Sequence, residues 1–139
     1  MDQSCIFCKI ANKEINSNII YENEYTVCFL DLSPNSEGHC LVIPKKHYDD
    51  FESTDISLIY EVMKTKKEAI KILNKSLKPK GYNYVSNQGV EAFQTVFHYH
   101  EHIIPKYVKS DGYTFKINKN TDDLPVSEIY KKISEFKEN

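Results

Sequence analysis

Three histidines occupy alternate positions in one short stretch of the chain: His98, His100 and His102. The residues around them are β-branched or aromatic and Pro105 closes the run, which predicts a strand over residues 96–105. Because the side chains of a strand alternate between its two faces, all three imidazoles should point the same way. A row of buried imidazoles needs a partner for each ring, so the pattern indicates chemistry more than packing.

The same spacing limits the metal binding that this row can support. With a rise of about 3.3 Å per residue, the backbones of His98 and His102 should be roughly 13 Å apart. One ion bound at about 2.0–2.1 Å from each nitrogen is not expected to hold all three rings, although two neighbouring rings could share one. The three histidines therefore have different roles, or the row has a purpose other than binding one metal ion.

A second chemical signal is the C-x-x-C pair formed by Cys5 and Cys8, which has the spacing of metal ligands. A redox role is disfavoured because no strand–helix–strand pattern surrounds the pair and no Gly-Pro lies between the cysteines. The alternative is that both are small buried hydrophobic residues. Cys28 falls inside a predicted strand and is expected in the core.

Composition bounds the class of protein. A chain of 139 residues is long enough for one domain, expected over 1–139, with its own core. Its 18 basic and 20 acidic residues give a net charge of −2 and a pI of about 6.2, which argues against binding a nucleic-acid polymer by phosphate neutralisation. The polar N-terminus lacks a signal-peptide pattern and no apolar run reaches about 18 residues. We therefore expect a cytoplasmic protein without membrane association, in which disulfides are rare.

Hydrophobic periodicity predicts the elements that position these residues. Five strands are expected, the first two as a hairpin, over residues 18–22, 25–31, 39–43, 82–87 and 96–105. One long helix is expected over 54–77, capped by Ser53 or Thr54, and shorter helices within 4–15, capped by Ser4, and over 126–136. Strands joined largely by turns, with one long helix, predict an α+β domain with a mainly antiparallel five-stranded sheet.

The sequence HYHEHII at residues 98–104 resembles the signature of the histidine triad (HIT) family, in which histidines alternate with hydrophobic residues. Further segments resemble the family in the same order: CIFCKI at 5–10, FLDLSP at 29–34, GHCLVIPKKH at 38–47 and QTVF at 94–97. The resemblance covers roughly residues 5–106 and leaves a C-terminal extension, 107–139. It is greatest to the Hint (protein-kinase-C-interacting-protein-like) branch, in the bacterial form that carries C-x-x-C.

Glu101 departs from the family signature, which has a hydrophobic residue at that position. By strand alternation Glu101 faces away from the histidines, so the departure removes no catalytic group. We expect this part of the opposite face to be solvated or its carboxylate to be paired.

The resemblance implies a homodimer with a shared sheet that binds purine nucleoside monophosphates and hydrolyses a bond at their α-phosphate. Typical substrates are adenosine 5′-phosphoramidates and related nucleotidyl conjugates. By family position His100 is the nucleophile and forms a nucleotidyl-histidine, which water then hydrolyses. His102 and His39 would hydrogen-bond the phosphate oxygens and help protonate the leaving amine, and Gln94 and Thr95 would position the phosphate or the leaving group. No catalytic metal is expected.

The resemblance also implies the binding residues. Asp31 would accept hydrogen bonds from the ribose hydroxyls and Asn87 would contact the phosphate side; turn capping is the alternative for Asp31. The base pocket would be formed by apolar residues for which ordinary core packing is the alternative: Ile6, Phe7, Ile10, Phe29, Leu30 and Leu32. A structural zinc ion would be bound by Cys5, Cys8, His47 and His98.

Two other functions compete with hydrolysis through His100. The first is a zinc-stabilised nucleotide-binding or protein-interaction module without significant catalysis, which would fold but show no turnover. The second is a zinc hydrolase with His98 and His100 as ligands. It is the weakest hypothesis, because the nearby carboxylate that could act as a base, Glu101, should lie on the wrong face.

Overall fold

A computed structural model of the chain describes residues 4–118 and 125–137. The ends of the predicted domain, 1–3 and 138–139, and residues 119–124 of the predicted C-terminal extension lie outside the described residues. The strands are β1 Ile19–Glu22, β2 Thr26–Leu30, β3 Cys40–Pro44, β4 Gly81–Val85 and β5 Glu101–Lys106. The helices are α1 Ile6–Ala11, α2 Ile56–Ser76 and α3 Val126–Ser134, with a 3₁₀ turn at Val90–Ala92.

The five strands form one antiparallel sheet in the order β1-β2-β3-β5-β4. The predicted α+β fold is confirmed, including the hairpin of β1 and β2. The fold places β5 between β3 and β4, so Leu41 of β3 lies opposite His102 of β5. β4 is an edge strand, with one side of its backbone unpaired within the sheet.

Each face of the sheet carries its own apolar cluster. On one face, α1 packs through Phe7 and Ile10 against side chains that include Phe29, Leu41 and Ile43. On the other face, α2 packs through Val62, Ala69 and Leu73 against side chains that include Cys28, Val42, Tyr99 and Ile103. Tyr99 and Ile103 alternate with the histidines along the chain. They therefore face the α2 cluster, while the histidines face the α1 cluster.

Both predicted helix caps are wrong. The first residue before α1 is Cys5, whose Sγ accepts a hydrogen bond from the backbone N–H of Cys8 at 3.3 Å. The residue before α2 is Asp55, whose side chain makes no capping bond and accepts instead from the Tyr48 hydroxyl at 3.2 Å. Thr54 Oγ1 donates to the carbonyl of Asp50 at 2.6 Å. Within the part of the chain that the structure describes, no helix is long and apolar enough to cross a membrane.

The histidine segment is a strand only in its second half. β5 begins at Glu101, where pairing with Val42 starts, so the predicted strand over 96–105 is wrong for residues 96–100. The N–H of Tyr99 donates to the carbonyl of Tyr48 at 2.7 Å, in a loop rather than in a neighbouring strand. His98 and His100 therefore lie in the loop that precedes β5, and His102 lies in β5.

Glu101 is buried and paired, as one of the two expectations had it. Its Oε1 accepts from Lys66 Nζ of α2 at 3.2 Å, and its Oε2 accepts from the Tyr99 hydroxyl at 2.7 Å. Lys66 is the residue that interrupts the apolar face of α2, and its ammonium also lies 4.3 Å from the centroid of the Tyr84 ring. Both oxygens of the carboxylate thus have partners, as a buried charge requires.

Candidate active site

A cavity of about 460 Å³ opens on the α1 face of the sheet, with three histidines in its wall: His39, His100 and His102. The eight residues predicted to bind the nucleotide all line this cavity, and so does Thr95. Eight further lining residues were not predicted as site residues, because nothing in their type suggests chemistry: Ile15, Asn16, Ser17, Ser33, Asn35, Leu41, Phe93 and Val96. The volume falls within the range of small-molecule sites.

Although the first two triad residues are not in a strand, their rings stay on one side. Phe7 of α1 contacts the rings of His98 and His100, with centroids 6.0 and 5.1 Å away. The ring of His102 lies 5.1 Å from that of His100, and His39 lies 5.2 Å from His102. The four imidazoles form a continuous row that starts at the C-x-x-C pair and ends at the cavity.

The proton position on His100 follows from its backbone contact. His100 Nδ1 lies 2.7 Å from the carbonyl oxygen of His98, and because a carbonyl can only accept, Nδ1 carries the proton. Burial lowers the pKa of His100, against the opposing effect of that hydrogen bond, so the ring is neutral at pH 7. The other nitrogen, Nε2, therefore carries a lone pair on a residue that lines the cavity.

His39 and His102 have their protons fixed in the same way. The N–H of Asn35 donates to His39 Nδ1 at 3.1 Å, so the proton of neutral His39 is on Nε2. His39 Nε2 lies 3.0 Å from His102 Nδ1 and donates to it, which leaves the proton of His102 on Nε2. A directional chain therefore runs from Asn35 through His39 to an N–H of His102.

This chain argues against a metal ion at the second group of possible ligands, which is formed by Asp31, His39 and His102. A metal ligand needs a nitrogen lone pair, and His39 Nε2 bears a proton as long as Asn35 donates to the other nitrogen. Asp31 Oδ2 lies 3.6 Å from that nitrogen, and Asp31 Oδ1 accepts from the N–H of Ser33 at 2.8 Å. Asp31 can therefore cap the turn and line the cavity at the same time.

The other group brings together the four predicted zinc ligands, Cys5, Cys8, His47 and His98. Cys8 Sγ lies 3.2 Å from His47 Nδ1 and 3.5 Å from His98 Nδ1, and Cys5 Sγ lies 3.4 Å from His98 Nδ1. Adjacent sulfur and nitrogen ligands of a tetrahedral zinc ion lie roughly 3.6 Å apart, given bonds of about 2.3 and 2.0–2.1 Å. The donor set fits one zinc ion.

The outer nitrogens of these two histidines are already used. His98 Nε2 donates to the carbonyl of Pro44 at 2.8 Å, and His47 Nε2 lies 3.0 Å from Asp49 Oδ1. Each ring therefore presents Nδ1 to the thiols, in the manner of metal-bound histidines that are oriented by a carbonyl or a carboxylate. Asp49 was not singled out from the sequence; its place two residues after His47 was the available signal.

Gln94 is near the cavity but does not line it. Its side chain is buried, with Nε2 donating to the carbonyls of Asp49 at 2.7 Å and Val96 at 3.1 Å, and Oε1 accepting from the N–H of Gly89 at 2.9 Å. These contacts hold the loop before Thr95 in place. Gln94 therefore contacts backbone groups around this loop, and Thr95 lies in the cavity wall.

The neutral state of His39 and His102 predicts a dependence of stability on pH. Burial, with the nearby His100 and His39 adding to it, lowers the pKa of His102 to about 4, and burial lowers that of His39 against the opposing charge of Asp31. In the unfolded chain both protonate near pH 6.5. Since the unfolded state binds more protons between about pH 4 and 6.5, stability falls as the pH drops through that window.

Urea unfolding at a series of pH values between 7 and 4.5 checks this. The free energy of unfolding should decline with falling pH, and the decline should be shallower in His102→Gln, which removes one of the histidines that stay neutral in the folded protein. Any slope from acid release of metal ligands is common to both proteins and cancels in the comparison. Equal slopes would contradict a neutral His102.

Most of the chain is similar to known proteins. The family model described as "HIT domain" matches residues 12–109. An uncharacterized HIT-like protein of Mycoplasma genitalium is 48% identical over 134 residues, covering 96% of this chain and 94% of its own. Adenosine 5′-monophosphoramidase of Saccharomyces cerevisiae is 38% identical over 112 residues, covering 81% and 68%. The crystal structure of a HIT family member from Bacillus subtilis is 34% identical, with a TM-score of 0.86 and 99% of each chain covered.

The fold, the alternating histidines and these similarities define a member of the HIT family. The chain belongs to that family, within which the yeast relative bears the name adenosine 5′-monophosphoramidase.

Proposed function

We propose that the protein hydrolyses nucleoside 5′-phosphoramidates or related purine nucleotidyl conjugates through a nucleotidyl intermediate on His100. The observation that carries this is the fixed proton of His100, which leaves the Nε2 lone pair at the cavity. Attack by Nε2 on the α-phosphorus breaks the P–N bond, and the amine leaves with a proton. Water then breaks the bond between His100 and phosphorus and releases the nucleoside monophosphate.

The chain from Asn35 through His39 supports the role of His102 in this reaction. Its Nε2–H is available to donate a hydrogen bond to a phosphate oxygen or to the leaving nitrogen, and the proton that the leaving amine takes up comes from solvent. Asp31, at the far end of the row, is suited to the ribose hydroxyls. The apolar side chains of α1 and β2 in the same cavity are suited to a purine base.

The simplest test is turnover of adenosine and guanosine 5′-phosphoramidates by the purified protein, followed by release of the monophosphate. Activity that survives brief treatment with a chelator favours the imidazole nucleophile over a zinc hydrolase. A folded protein that binds the monophosphate and hydrolyses neither compound would instead support a binding module, which is the alternative function.

We further propose that Cys5, Cys8, His47 and His98 bind a structural zinc ion. With four protein ligands such a site is closed, so the ion joins α1 to the histidine segment and supplies no open position for substrate. The reaction is carried by the histidines that line the cavity: His39, His100 and His102.

A homodimer through α2 and β4 is also proposed. β4 is the edge of the sheet, and Ile56 of α2 is exposed on the side of the helix that faces it. That side is identified by Asn74, five helical turns after Ile56, whose side-chain oxygen accepts from Tyr82 of β4 at 2.7 Å. Pairing of two β4 edges would continue the sheet across both subunits.

Sedimentation at micromolar concentration should give twice 16.2 kDa. Ile56→Glu should shift the equilibrium toward the monomer, because it places a charge in the proposed interface. Ser57→Glu is the matched control, since the same charge lies about 100° further round the helix. A wild-type protein that sediments as a monomer would contradict the proposal.

A further inference from the structure

Phe93 stands at the mouth of the cavity in a conformation that a residue with a β-carbon rarely adopts. Its φ and ψ are 70° and 21°, in the left-handed region, and its side chain is 83% exposed. The ring also lines the cavity that holds the three histidines. Both the backbone conformation and the exposed aromatic surface cost free energy, so packing does not account for this residue.

The loop that carries Phe93 is held at both ends. The N–H groups of Phe93 and Gln94 each donate at 3.0 Å, to the carbonyls of Val90 and Gly89 respectively. The Gln94 side chain then closes the loop through Gly89 and ties it to the carbonyl of Asp49. Phe93 is therefore presented to the cavity by a fixed loop.

The row of histidines shows which part of a substrate would meet Phe93. Asp49, which anchors the loop, contacts His47 at the zinc-cluster end of the row, whereas Asp31 lies at the other end. With the ribose at Asp31 and the phosphate at His100, the loop lies on the far side of the phosphate. A leaving group departs opposite to the nucleophile, away from His100 and toward the mouth of the cavity.

We propose that Phe93 is a specificity-determining residue that contacts the leaving group, and that the protein prefers phosphoramidates whose amine carries an aromatic or bulky apolar substituent. The proposal rests on the proposed function and names the substrate class within it. Aromatic side chains contribute to binding through their large apolar area and through ring–ring contacts.

The test compares two adenosine 5′-phosphoramidates, one with an unsubstituted amine and one with phenethylamine as the leaving group. The ratio of their kcat/KM values is measured in the wild type and in Phe93→Gly, since glycine adopts a φ of 70° without strain. We expect the substitution to lower the preference for the phenethyl substrate about three- to tenfold, as loss of an aromatic contact does. Val90→Ala is the matched control: Val90 is exposed in the same loop but does not line the cavity, so the ratio should not change.

Binding measurements separate this proposal from the proposed function. The Kd values of the same two compounds are measured by calorimetry with both proteins, and their ratio should change in the same direction. If neither compound is hydrolysed, the hydrolase proposal fails, while the ratio of Kd values still decides the role of Phe93. If Phe93→Gly leaves the ratio between the two compounds unchanged, the proposal is overturned. This holds also when the only effect of the substitution is a fall in Tm or a loss of the dimer.

Discussion

His100→Ala should lose nearly all turnover of adenosine 5′-phosphoramidate while the protein stays folded. Loss of a covalent nucleophile removes the reaction path itself, and kcat should fall by roughly three to six orders of magnitude. The ring of His100 makes one hydrogen bond, to the carbonyl of His98, and lies at the wall of a cavity, so its removal should disturb the fold little. Pre-steady-state turnover and thermal unfolding measure the two effects separately.

Two further measurements identify the nucleophile directly. Brief incubation of the wild type with substrate, followed by an acid quench and peptide mass analysis, should find the nucleotidyl group on His100. In His100→Gly, added imidazole should restore part of the rate, because the free ring can occupy the vacated volume. Turnover like that of the wild type in His100→Ala would overturn the mechanism.

His102→Gln provides a contrasting variant for the same reaction. It removes the Nε2–H of a residue that lines the cavity, which we propose donates a hydrogen bond to the leaving group. Its rate should therefore fall much less with a nitrophenolate leaving group, which needs no proton, than with an amine. His100→Ala should fail with both, since each requires the nucleophile.

The second large effect is expected at the proposed zinc site. Protein purified without chelator should contain close to one zinc ion per chain. Replacing both thiolates, with Cys5→Ser and Cys8→Ser, should remove the metal and lower Tm by roughly 10 °C or more, because binding free energy at a structural site contributes to folding. Part of the activity should remain, since His100 and His102 are not among the ligands.

A matched control comes from the other buried thiols. Cys28→Ala removes a thiol of the core cluster under α2, on the opposite face of the sheet, and should leave the zinc content unchanged whatever it does to Tm. Metal analysis and thermal unfolding of both variants separate a lost ligand from a lost core side chain. A wild type that neither contains nor takes up zinc, or metal found on His100 and His102, would contradict the division of the triad.

The strands along the chain and the faces on which their side chains lie were largely predictable from the sequence, whereas the order of the strands in the sheet was not. The alternation of His98, His100 and His102 with Tyr99 and Ile103 places histidines and core residues on opposite faces. That division holds even where the segment is a loop, which the sequence did not reveal. A strand requires a neighbouring strand to pair with, and β-branched or aromatic composition says nothing of whether one is present at residues 96–100.

The sequence by itself determined which chemical groups are available: five imidazoles and two thiols in family spacing, and a carboxylate at Asp31. Only the tertiary structure decided how these groups are brought together. Cys5 and His98 are 93 residues apart and come within 3.4 Å, and the protons of the imidazoles are set by backbone groups of Asn35, Pro44 and His98. The physical reason is that periodicity and spacing are properties of neighbouring residues, whereas the direction of a hydrogen bond depends on groups that folding brings together from distant segments.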